Sequence, residues 1–379
     1  MSKIDRIEAF PVEFPFLGEF STSRGKVGSA AMGRPSIVLK LTTDDGVVGW
    51  GESSPSRLWS YETMETAYST LTRYLIPAAV GQDLFDVDGL HARMDAVVAP
   101  GYTMGQPIAR SGIDIAAHDA IGRTLDLPIR DYWGARRRDR IALSWTVAVS
   151  EMDAVESSVT EGQAAGYANF NVKVGHEADL DFDVDMSRRV RELAPDGFLW
   201  ADANGGYSVA TATRAARRLA DVGVDVLEQP LPPNALTGYA EMRQVGALPI
   251  TVDEGVITPR DVIEMIRLGL IDGVAMKPAR VGGLRPQRRI IEIVQDAGLI
   301  FLGSGLTDPD IGFAASVQVY AAYGLAYPAA LNGPQFLDAS IASTGVRVEA
   351  GEAIVPTGPG LGVTIDEDRL APLALDLGL

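Results

Sequence analysis

The chain has 379 residues, of which 46% are hydrophobic and 22% are charged, and its formal net charge is −17. This composition is typical of a globular protein, and the excess of acidic residues argues against nucleic acid or an anionic membrane as a partner. No cysteine is present, which excludes disulfides, thiolate metal sites and a cysteine nucleophile.

The start of the sequence lacks a signal-peptide pattern, and no run of about eighteen apolar residues occurs. We therefore predict a cytoplasmic protein without a membrane partner. The one basic run, "ARRRDR" at 135–140, predicts a solvated connection between two domains, because the rest of the chain is too acidic to favour a nucleic-acid patch.

Residues 1–135 have the pattern of a small α+β domain. The segments "KIDRIEAFPVEF" and "SIVLKLTTDDGVVGWGES" predict an antiparallel sheet, with a turn at "DDG". Apolar residues three and four apart between 61 and 130 predict helices that pack on this sheet. The last segment, 339–379, has short alternating runs, which predict strands that return to the same capping domain.

Between residues 136 and 338 strand-like and helix-like segments alternate, which predicts a parallel sheet. Eight units at a spacing of about 25 to 30 residues predict a closed (β/α)8-type barrel, a modified TIM barrel. An open doubly wound sheet is the alternative, but it needs a glycine-rich phosphate turn that the sequence lacks. The strand-like segments are "IALSWTVAV", "NFNVKV", "GFLWADA", "VDVLEQP", "LPITVDE", "IDGVAMKP", "GLIFLGS" and "YPAALNG".

Polar residues close five successive strands of this predicted barrel. They are Lys173, Asp202, Glu228, Asp253 and Lys277. The carboxyl ends of barrel strands meet at one mouth, so we expect three carboxylates there with an ammonium group on either side. Each acidic residue taken alone would more often be a helix cap or a surface ion pair, and the functional interpretation depends on the repetition.

This arrangement indicates a particular chemistry. Three neighbouring carboxylates repel one another unless a cation neutralises them, and oxygen ligands suit Mg²⁺, with Mn²⁺ as an alternative. A divalent ion that binds a substrate carboxylate stabilises the enolate formed when the adjacent C–H bond loses its proton. A lysine can serve as the base, and two lysines on opposite sides suit racemisation or epimerisation.

The same residues and their surrounding motifs resemble the enolase superfamily, in its muconate lactonizing enzyme subgroup. The motifs are "VKVG", "DANGGY", "LEQP", "VDE", "MKPARVGGL", "GWGESSP" and "SGIDIAAHDAIGRTLDLPIRDYWG", and together they extend over nearly the whole chain. The resemblance implies that Asp202, Glu228 and Asp253 bind the metal and that Lys173 and Lys277 transfer protons. It also implies that Asn204 and Glu254 support the ligands.

The resemblance further implies that two loops of the capping domain, around 19–28 and 57–61, close over the substrate. Trp59 and Tyr61 of the second loop are therefore predicted to contact the substrate. Family members are commonly homo-oligomers, often octamers, which act on small carboxylates. The three histidines, His91, His118 and His176, form no pair at metal-binding spacing and are predicted to be structural.

Three further positions bear on the substrate. Asn171 stands where the subgroup usually has a second lysine; its amide can still donate hydrogen bonds to a carboxylate, but it brings no charge. Asp308 and Asp310, beyond the seventh strand, are interpreted either as helix caps or as binders of a cationic group, as in an amino acid, a proline derivative or a betaine. Asn332 replaces the acidic residues of dipeptide epimerases, which disfavours a dipeptide.

Several reactions remain open. The leading prediction is a Mg²⁺-dependent racemase or epimerase of an amino-acid, proline or betaine derivative, or a muconate-type cycloisomerase. A dehydratase that eliminates a β-hydroxyl from a hydroxy acid or hydroxyproline is an alternative on the same scaffold. A Schiff-base lyase that uses Lys277 is a remote alternative, since the three carboxylates would then have no role. The last alternative is a non-catalytic binding or scaffold protein.

Overall fold

The structure, a computed structural model, describes residues 2–101, 103–133 and 138–378. The predicted boundary at 135/136 and residues 135–137 of the basic run lie outside the described residues. Within those ranges, no helix combines the length and the apolarity needed to cross a membrane.

The amino-terminal part is an α+β unit built on an antiparallel sheet in the order β1-β4-β5. Ile37, Leu39 and Leu41 of the central strand are fully buried against the helices. The strands are β1 Ile4–Phe14, β2 Glu19–Thr22, β3 Gly25–Ser29, β4 Arg34–Thr43 and β5 Val48–Ser53. The helices are α1 Met64–Thr70, α2 Ile76–Ala79, α3 Val87–Val97, α4 Pro107–Leu125 and α5 Ile129–Tyr132, with a π-helical turn at Leu71–Leu75.

The long helix α4 lies directly on strand β5, which explains the glycines of "GWGES". A Cβ atom at Gly51 would lie 1.9 Å from the carbonyl oxygen of Gly112 in α4, so no larger residue fits there. Because successive residues of a strand face opposite sides, Glu52 points away from α4, and its carboxylate contacts the barrel.

The middle of the chain forms a parallel seven-stranded sheet in the order β13-β12-β11-β10-β9-β8-β7. Its strands are β7 Ser144–Val147, β8 Asn169–Lys173, β9 Leu199–Asp202, β10 Val226–Glu228, β11 Ile250–Val252, β12 Gly273–Met276 and β13 Ile300–Gly303. The short strand β6 Arg140–Ala142 precedes them and pairs outside this sheet. The helices are α6 Asp153–Ala164, α7 Leu180–Leu193, α8 Val209–Asp221, α9 Leu236–Val245, α10 Pro259–Arg267, α11 Leu284–Asp296, α12 Asp310–Ala322 and α13 Gly333–Phe336.

The eighth predicted strand, "YPAALNG", is reduced to two bridging residues. The Ala329 N–H donates to the Ala142 carbonyl at one edge of the sheet, and the Ala330 N–H donates to the Gly303 carbonyl at the other, at 2.7 and 2.9 Å. Both bridges are parallel. The segment 329–330 therefore joins the two edges of the seven-stranded sheet and closes the barrel without a regular eighth strand.

The carboxyl-terminal segment contains β14 Ala342–Thr344, β15 Val348–Glu349, β16 Glu352–Ile354, β17 Thr364–Ile365 and α14 Glu367–Leu370. It contacts both parts of the molecule. Strand β16 pairs with β6 at the entry to the barrel, whereas Ala374 bridges to Val12 in the capping sheet.

Two buried carboxylates fasten the capping unit to the barrel. Glu52 of β5 accepts a hydrogen bond from Gly312 N at 2.8 Å, and Asp114 of α4 accepts one from Leu284 N. Both donors lie in the first turn of a barrel helix, where free N–H groups and the helix dipole favour an anion. His91 and His118 also contact the Asp114 carboxylate, which agrees with a structural role for these histidines.

Candidate active site at the barrel mouth

The five polar residues predicted at strand ends lie at the carboxyl edge of the barrel sheet. Lys173, Asp202 and Glu228 are the last residues of β8, β9 and β10, and neighbouring strands pair them in register. Asp253 and Lys277 directly follow β11 and β12. Each follows an apolar strand that is buried in the barrel, so the backbone fixes where these side chains begin.

Each lysine forms an ion pair with one of the carboxylates. Lys173 Nζ lies 2.5 Å from Asp202 Oδ2, and Lys277 Nζ contacts Asp253 Oδ2. The second oxygen of Asp253 contacts the guanidinium of Arg280, a residue that was not predicted to belong to the site. All of these side chains except that of Lys173 are at least 95% buried, so the charges interact at short range and away from bulk water.

Glu228 lies between these two ion pairs and has no cation of its own. Its Oε1 atom is buried and accepts no hydrogen bond from the described residues. Burial, and secondly the nearby Asp202 carboxylate, raise the pKa of Glu228 to about 8. A buried acid beside a second acid favours its charged form only when a further cation is present.

The residues fit a divalent cation in donor type and in placement on adjacent strands. The unpartnered Glu228 Oε1 is accompanied by an unpartnered amide oxygen, Asn204 Oδ1. The described part of the chain contains no group of three or more acidic or histidine side chains already spaced as a metal centre. Both oxygens of Asp253 contact cations instead, Oδ2 that of Lys277 and Oδ1 that of Arg280.

Residues around the carboxylates fix their positions. Asn204 N donates to Asp202 Oδ1 at 3.0 Å, and Asn204 Nδ2 donates to Glu254 Oε1 at 3.3 Å. Gln229 Oε1 accepts from Asp253 N at 2.8 Å. Asn204 and Gln229 both have positive φ, 46° and 40°, a conformation that costs energy in residues other than glycine and recurs at functional sites. Gln229 was not predicted from the sequence.

The two lysines line one small cavity of about 40 Å³. Asn171, Asn204 and Asn332 also line it, and the capping unit contributes Phe20 and Trp59. Lys277 Nζ lies 4.7 Å from the centroid of the Trp59 ring, and Lys173 Nζ lies 5.8 Å from that of Phe20. Aromatic rings from the two predicted lid segments therefore cover the ammonium groups.

The amides of this cavity have unused hydrogen-bonding capacity. Asn171 Nδ2 donates to the Trp200 carbonyl at 3.3 Å, and Asn332 Nδ2 approaches Thr146 Oγ1 at 3.5 Å. Asn171 Oδ1 and Asn332 Oδ1 are buried and accept no hydrogen bond from the described residues. An amide can turn over to offer its NH₂ group instead, so both side chains can contact a carboxylate or an amide of a ligand.

Asp308 and Asp310, predicted to bind a cationic group, do not line the cavity. Asp308 is buried, accepts a hydrogen bond from Leu306 N at 3.0 Å, and interacts electrostatically with buried Arg34. Asp310 accepts hydrogen bonds from Ser340 Oγ and Ile341 N, each at 2.8 Å. Both carboxylates are held by the chain itself, and these contacts give no support to the interpretation as substrate binders, one of the two that the sequence left open.

Tyr61 also lies away from the lysine cavity. Its side chain is 55% exposed, and its hydroxyl is 3.4 Å from the Met104 carbonyl. Tyr61 lines a second, adjoining cavity, and Trp59 lines both. Of the two lid residues predicted to contact substrate, Trp59 alone faces the lysines.

Comparison with known protein families agrees with this geometry. Residues 17–134 match the model of the mandelate racemase / muconate lactonizing enzyme amino-terminal domain, and residues 154–369 match the enolase carboxyl-terminal domain-like model. The chain belongs to the enolase superfamily, in its muconate lactonizing enzyme subgroup. Members of this superfamily use a divalent metal, and they act on small carboxylate substrates.

Individual relatives cover the chain almost completely. Muconate cycloisomerase 1 of Rhodococcus opacus is 29% identical over 89% of this chain and 90% of its own. The N-succinyl-L-Arg/Lys racemase of Bacillus cereus is 26% identical over 98% of both chains. The crystal structure of 2-chloromuconate cycloisomerase from Rhodococcus opacus 1CP superposes with a TM-score of 0.92 at 28% identity, over 99% of this chain and 100% of that one.

These findings confirm the predicted superfamily, the barrel with its capping domain, and the enzyme class, an isomerase. The roles of individual residues, the domain boundaries and the oligomeric state stay predictions.

Proposed function

We propose that this protein is a Mg²⁺-dependent isomerase that removes the proton next to a substrate carboxylate and returns a proton to the same carbon. The observation that supports this most directly is that Lys173 and Lys277 face one cavity from β8 and from the end of β12. Each is ion-paired with a carboxylate that we assign to metal binding.

Asp202, Glu228 and Asp253 would hold the ion, with Mn²⁺ as an alternative to Mg²⁺. Bound there, the ion would stabilise the negative charge that develops on the substrate carboxylate when the neighbouring C–H bond breaks. Asn204 and Gln229 keep Asp202 and Asp253 in position through the hydrogen bonds described above.

The lysines supply the proton transfers. A neutral lysine on one face accepts the α-proton, so that the C–H bond breaks, an N–H bond forms and the electron pair stays on the substrate. The opposite lysine, as an ammonium, then gives a proton to the other face of the same carbon. Placing an acid and a base at hydrogen-bond reach in this way contributes about 10²- to 10⁴-fold to a rate.

Trp59 and Phe20 exclude water from this exchange by covering the two ammonium groups. Asn171, which stands where the subgroup usually has a lysine, would donate a hydrogen bond to the substrate carboxylate from its amide. We therefore expect a substrate carboxylate held by one fewer cation than in relatives with the second lysine.

Two lysines facing one cavity favour racemisation or epimerisation, because both faces of the α-carbon then meet a proton carrier. Cycloisomerisation, as in the relatives that act on muconates, and β-elimination need only one of them. A Schiff base on Lys277 is disfavoured, since Asp202, Glu228 and Asp253 would then have no role. We further propose the predicted homo-oligomer as the assembled form.

Proton NMR in D₂O with Mg²⁺ tests this proposal. The panel comprises N-succinylated and other N-acyl amino acids, prolines and their betaines, dipeptides and muconolactone. We expect one compound to lose its α-proton signal, and we expect Lys173→Ala and Lys277→Ala to reduce that exchange strongly. Lys3→Ala, at an exposed lysine, is the matched control. Exchange that survives in the double variant Lys173→Ala/Lys277→Ala would contradict the proposal.

A further inference from the structure

Two loops from different parts of the molecule meet at the lysine cavity. The first, residues 54–63, joins β5 to α1 of the capping unit, and its Ser56 and Trp59 line the cavity. The second, residues 304–309, joins β13 to α12 of the barrel and lines the cavity with residues 304–307. A contact that holds these two loops together therefore helps to set the space around the lysines.

One buried arginine of the capping unit, Arg34 at the start of β4, binds both loops. Its Nη1 donates to the Pro55 carbonyl at 2.7 Å and its Nη2 to the Ser54 carbonyl at 3.0 Å, at the start of the first loop. Its Nε donates to the Thr307 carbonyl of the second loop at 3.3 Å. A guanidinium holds its N–H groups in one rigid plane, so these bonds fix the positions of the carbonyls relative to one another.

The charge of Arg34 is used on the main chain. Its hydrogen bonds to described residues all go to backbone carbonyls, the remaining one being to Pro35 at 3.2 Å. Burial lowers the pKa of Arg34, and the carboxylates of Asp308 and Glu52 act against this. A buried cation is costly unless it is hydrogen-bonded, and here the bonds that stabilise it are the ones that join the two loops.

The bond to the second loop acts on strained backbone. Thr307 has a φ of 55°, a left-handed conformation that is unfavourable for a β-branched residue, and it is buried. Such conformations persist only where the surrounding structure holds them, and they recur at functional sites. Without the contact to Arg34, we expect this turn to relax and the wall of the lysine cavity to move.

The residue before Thr307 extends this effect to the lid. Leu306 belongs to a small apolar cluster with Ile108 and Ala279, and Trp59 packs against that cluster. The Trp59 ring in turn covers the ammonium group of Lys277. A shift of the 304–309 loop would therefore move the indole as well as the cavity wall.

We propose that Arg34 is a positioning residue for the reaction. It holds the start of the 54–63 loop and the strained turn at Thr307 in one arrangement, and it thereby keeps Trp59 over Lys277. Arg34 does not line the lysine cavity itself and acts through the two loops. The inference rests on the proposed function, because the space that these loops enclose is the one in which the proton is transferred.

Hydrogen–deuterium exchange of the full chain, measured by mass spectrometry, tests the structural part without a substrate. Arg34→Lys keeps the charge but removes the planar set of donors, and we expect peptides that contain 54–62 and 304–308 to exchange about tenfold or more faster. Peptides from α8 should keep the rate of the parent protein. Arg6→Lys, at an exposed arginine of β1 in the same sheet, is the matched control and should behave like the parent throughout.

The functional part is tested by rescue. For the compound that exchanges its α-proton, we expect Arg34→Lys to lower kcat/KM about tenfold or more. Adding Thr307→Gly should recover severalfold of this loss, because glycine adopts a positive φ without strain and the turn then needs no clamp. Adding Thr307→Ala, which removes the same side chain but keeps most of the strain, should recover none. A folding defect alone would not distinguish glycine from alanine at this one position.

If Arg34→Lys does not fold, Arg34→Gln takes its place, because a neutral amide is less costly to bury without partners than an ammonium group. The same loop exchange and the same rescue are expected. Exchange of both loops at the rate of the parent protein would overturn the inference, and so would an unchanged kcat/KM. Equal recovery with Thr307→Gly and Thr307→Ala would overturn it as well.

The two proposals can fail separately. If no compound of the NMR panel exchanges its α-proton but the Arg34 variant loses protection in both loops, the proposed reaction fails and the joining of the loops by Arg34 stands. If a compound exchanges and the Arg34 variant matches the parent in loop protection and in kcat/KM, the reaction stands and the role of Arg34 fails.

Discussion

Lys277 Nζ lies 4.7 Å from the centroid of the Trp59 ring, a contact that joins a barrel strand end to a loop of the capping unit. The indole covers an ammonium group that is itself 95% buried, so the capping unit contributes directly to the environment of a proposed proton carrier. The face of an indole attracts a cation, and the attraction is stronger where water is excluded.

Replacing this ring should weaken substrate binding more than it weakens the fold. For the compound that the enzyme turns over, we expect Trp59→Ala to raise KM about tenfold, because both the cover over Lys277 and the wall between the two cavities are lost. Trp59→Phe, which keeps an aromatic face, should have a smaller effect. Steady-state kinetics measures this, with Tyr74→Ala, at an exposed capping-unit aromatic, as the control. A Trp59→Ala enzyme with an unchanged KM would contradict the assigned role.

The metal site can be tested without a substrate. Glu228→Gln removes the carboxylate that has no cation of its own, and we expect it to weaken Mn²⁺ binding at least about tenfold, as measured by the EPR signal of free Mn²⁺. Glu241→Gln, at an exposed acid on α9, is matched in chemistry and should bind Mn²⁺ like the parent protein. Equal affinity in the Glu228 and Glu241 variants would argue against Glu228 as a ligand.

Asp310 should behave as a structural residue. Asp310→Asn weakens hydrogen bonds to Ser340 and Ile341, so we expect a loss of about 1 kcal/mol in the free energy of unfolding, with KM unchanged. Urea denaturation and steady-state kinetics on the same preparation separate the two effects. A raised KM at unchanged stability would restore Asp310 as a substrate-binding residue.

The sequence predicted the site better where function depends on residues that end strands than where it depends on long-range packing. Lys173, Asp202 and Lys277 could be found because each closes an apolar run at a regular spacing. The sequence left Asp308 open between a helix cap and a substrate binder, because its partner, Arg34, lies in a distant part of the chain. The sequence showed Arg280 only as a charged residue within the motif "MKPARVGGL". A motif does not show which guanidinium N–H groups lack a hydrogen-bond partner in the folded protein.

The same limit applies to the barrel itself. Seven strands were predicted correctly because β-branched residues repeat between helical segments. The eighth was predicted as a strand from "YPAALNG", but Ala329 and Ala330 each pair with a different edge of the sheet. The geometry of barrel closure sets such a junction, and the strand propensity of the local sequence does not predict it.

The loop after β8 should make stability depend on pH. A hydrogen bond that His176 Nδ1 donates to the Asp183 carboxylate raises the pKa of His176 above its ordinary value of 6.5. A raised pKa means that the folded protein holds the proton more tightly than the unfolded chain does. The stabilisation is therefore complete below about pH 6.5 and is lost as the pH rises through the higher pKa of the folded state.

We therefore expect His176→Gln to lower Tm more at about pH 6 than at about pH 9, as measured by differential scanning calorimetry. Arg217→Gln, at an exposed arginine of α8, is the control and should show the same Tm difference from the parent at both pH values. A His176→Gln deficit that grows with pH would have the wrong sign for a raised pKa.

In the proposed mechanism, Lys173 and Lys277 serve opposite faces of one α-carbon. The most direct measurement is α-proton exchange in D₂O, with Mg²⁺, of each pure enantiomer of the substrate in Lys173→Ala and Lys277→Ala. We predict that each variant loses exchange with one enantiomer and keeps measurable exchange with the other, and that the two variants have opposite preferences. If both variants lose exchange with the same enantiomer and keep it with the other, the two lysines do not act on opposite faces, and the proposed two-lysine proton transfer is wrong.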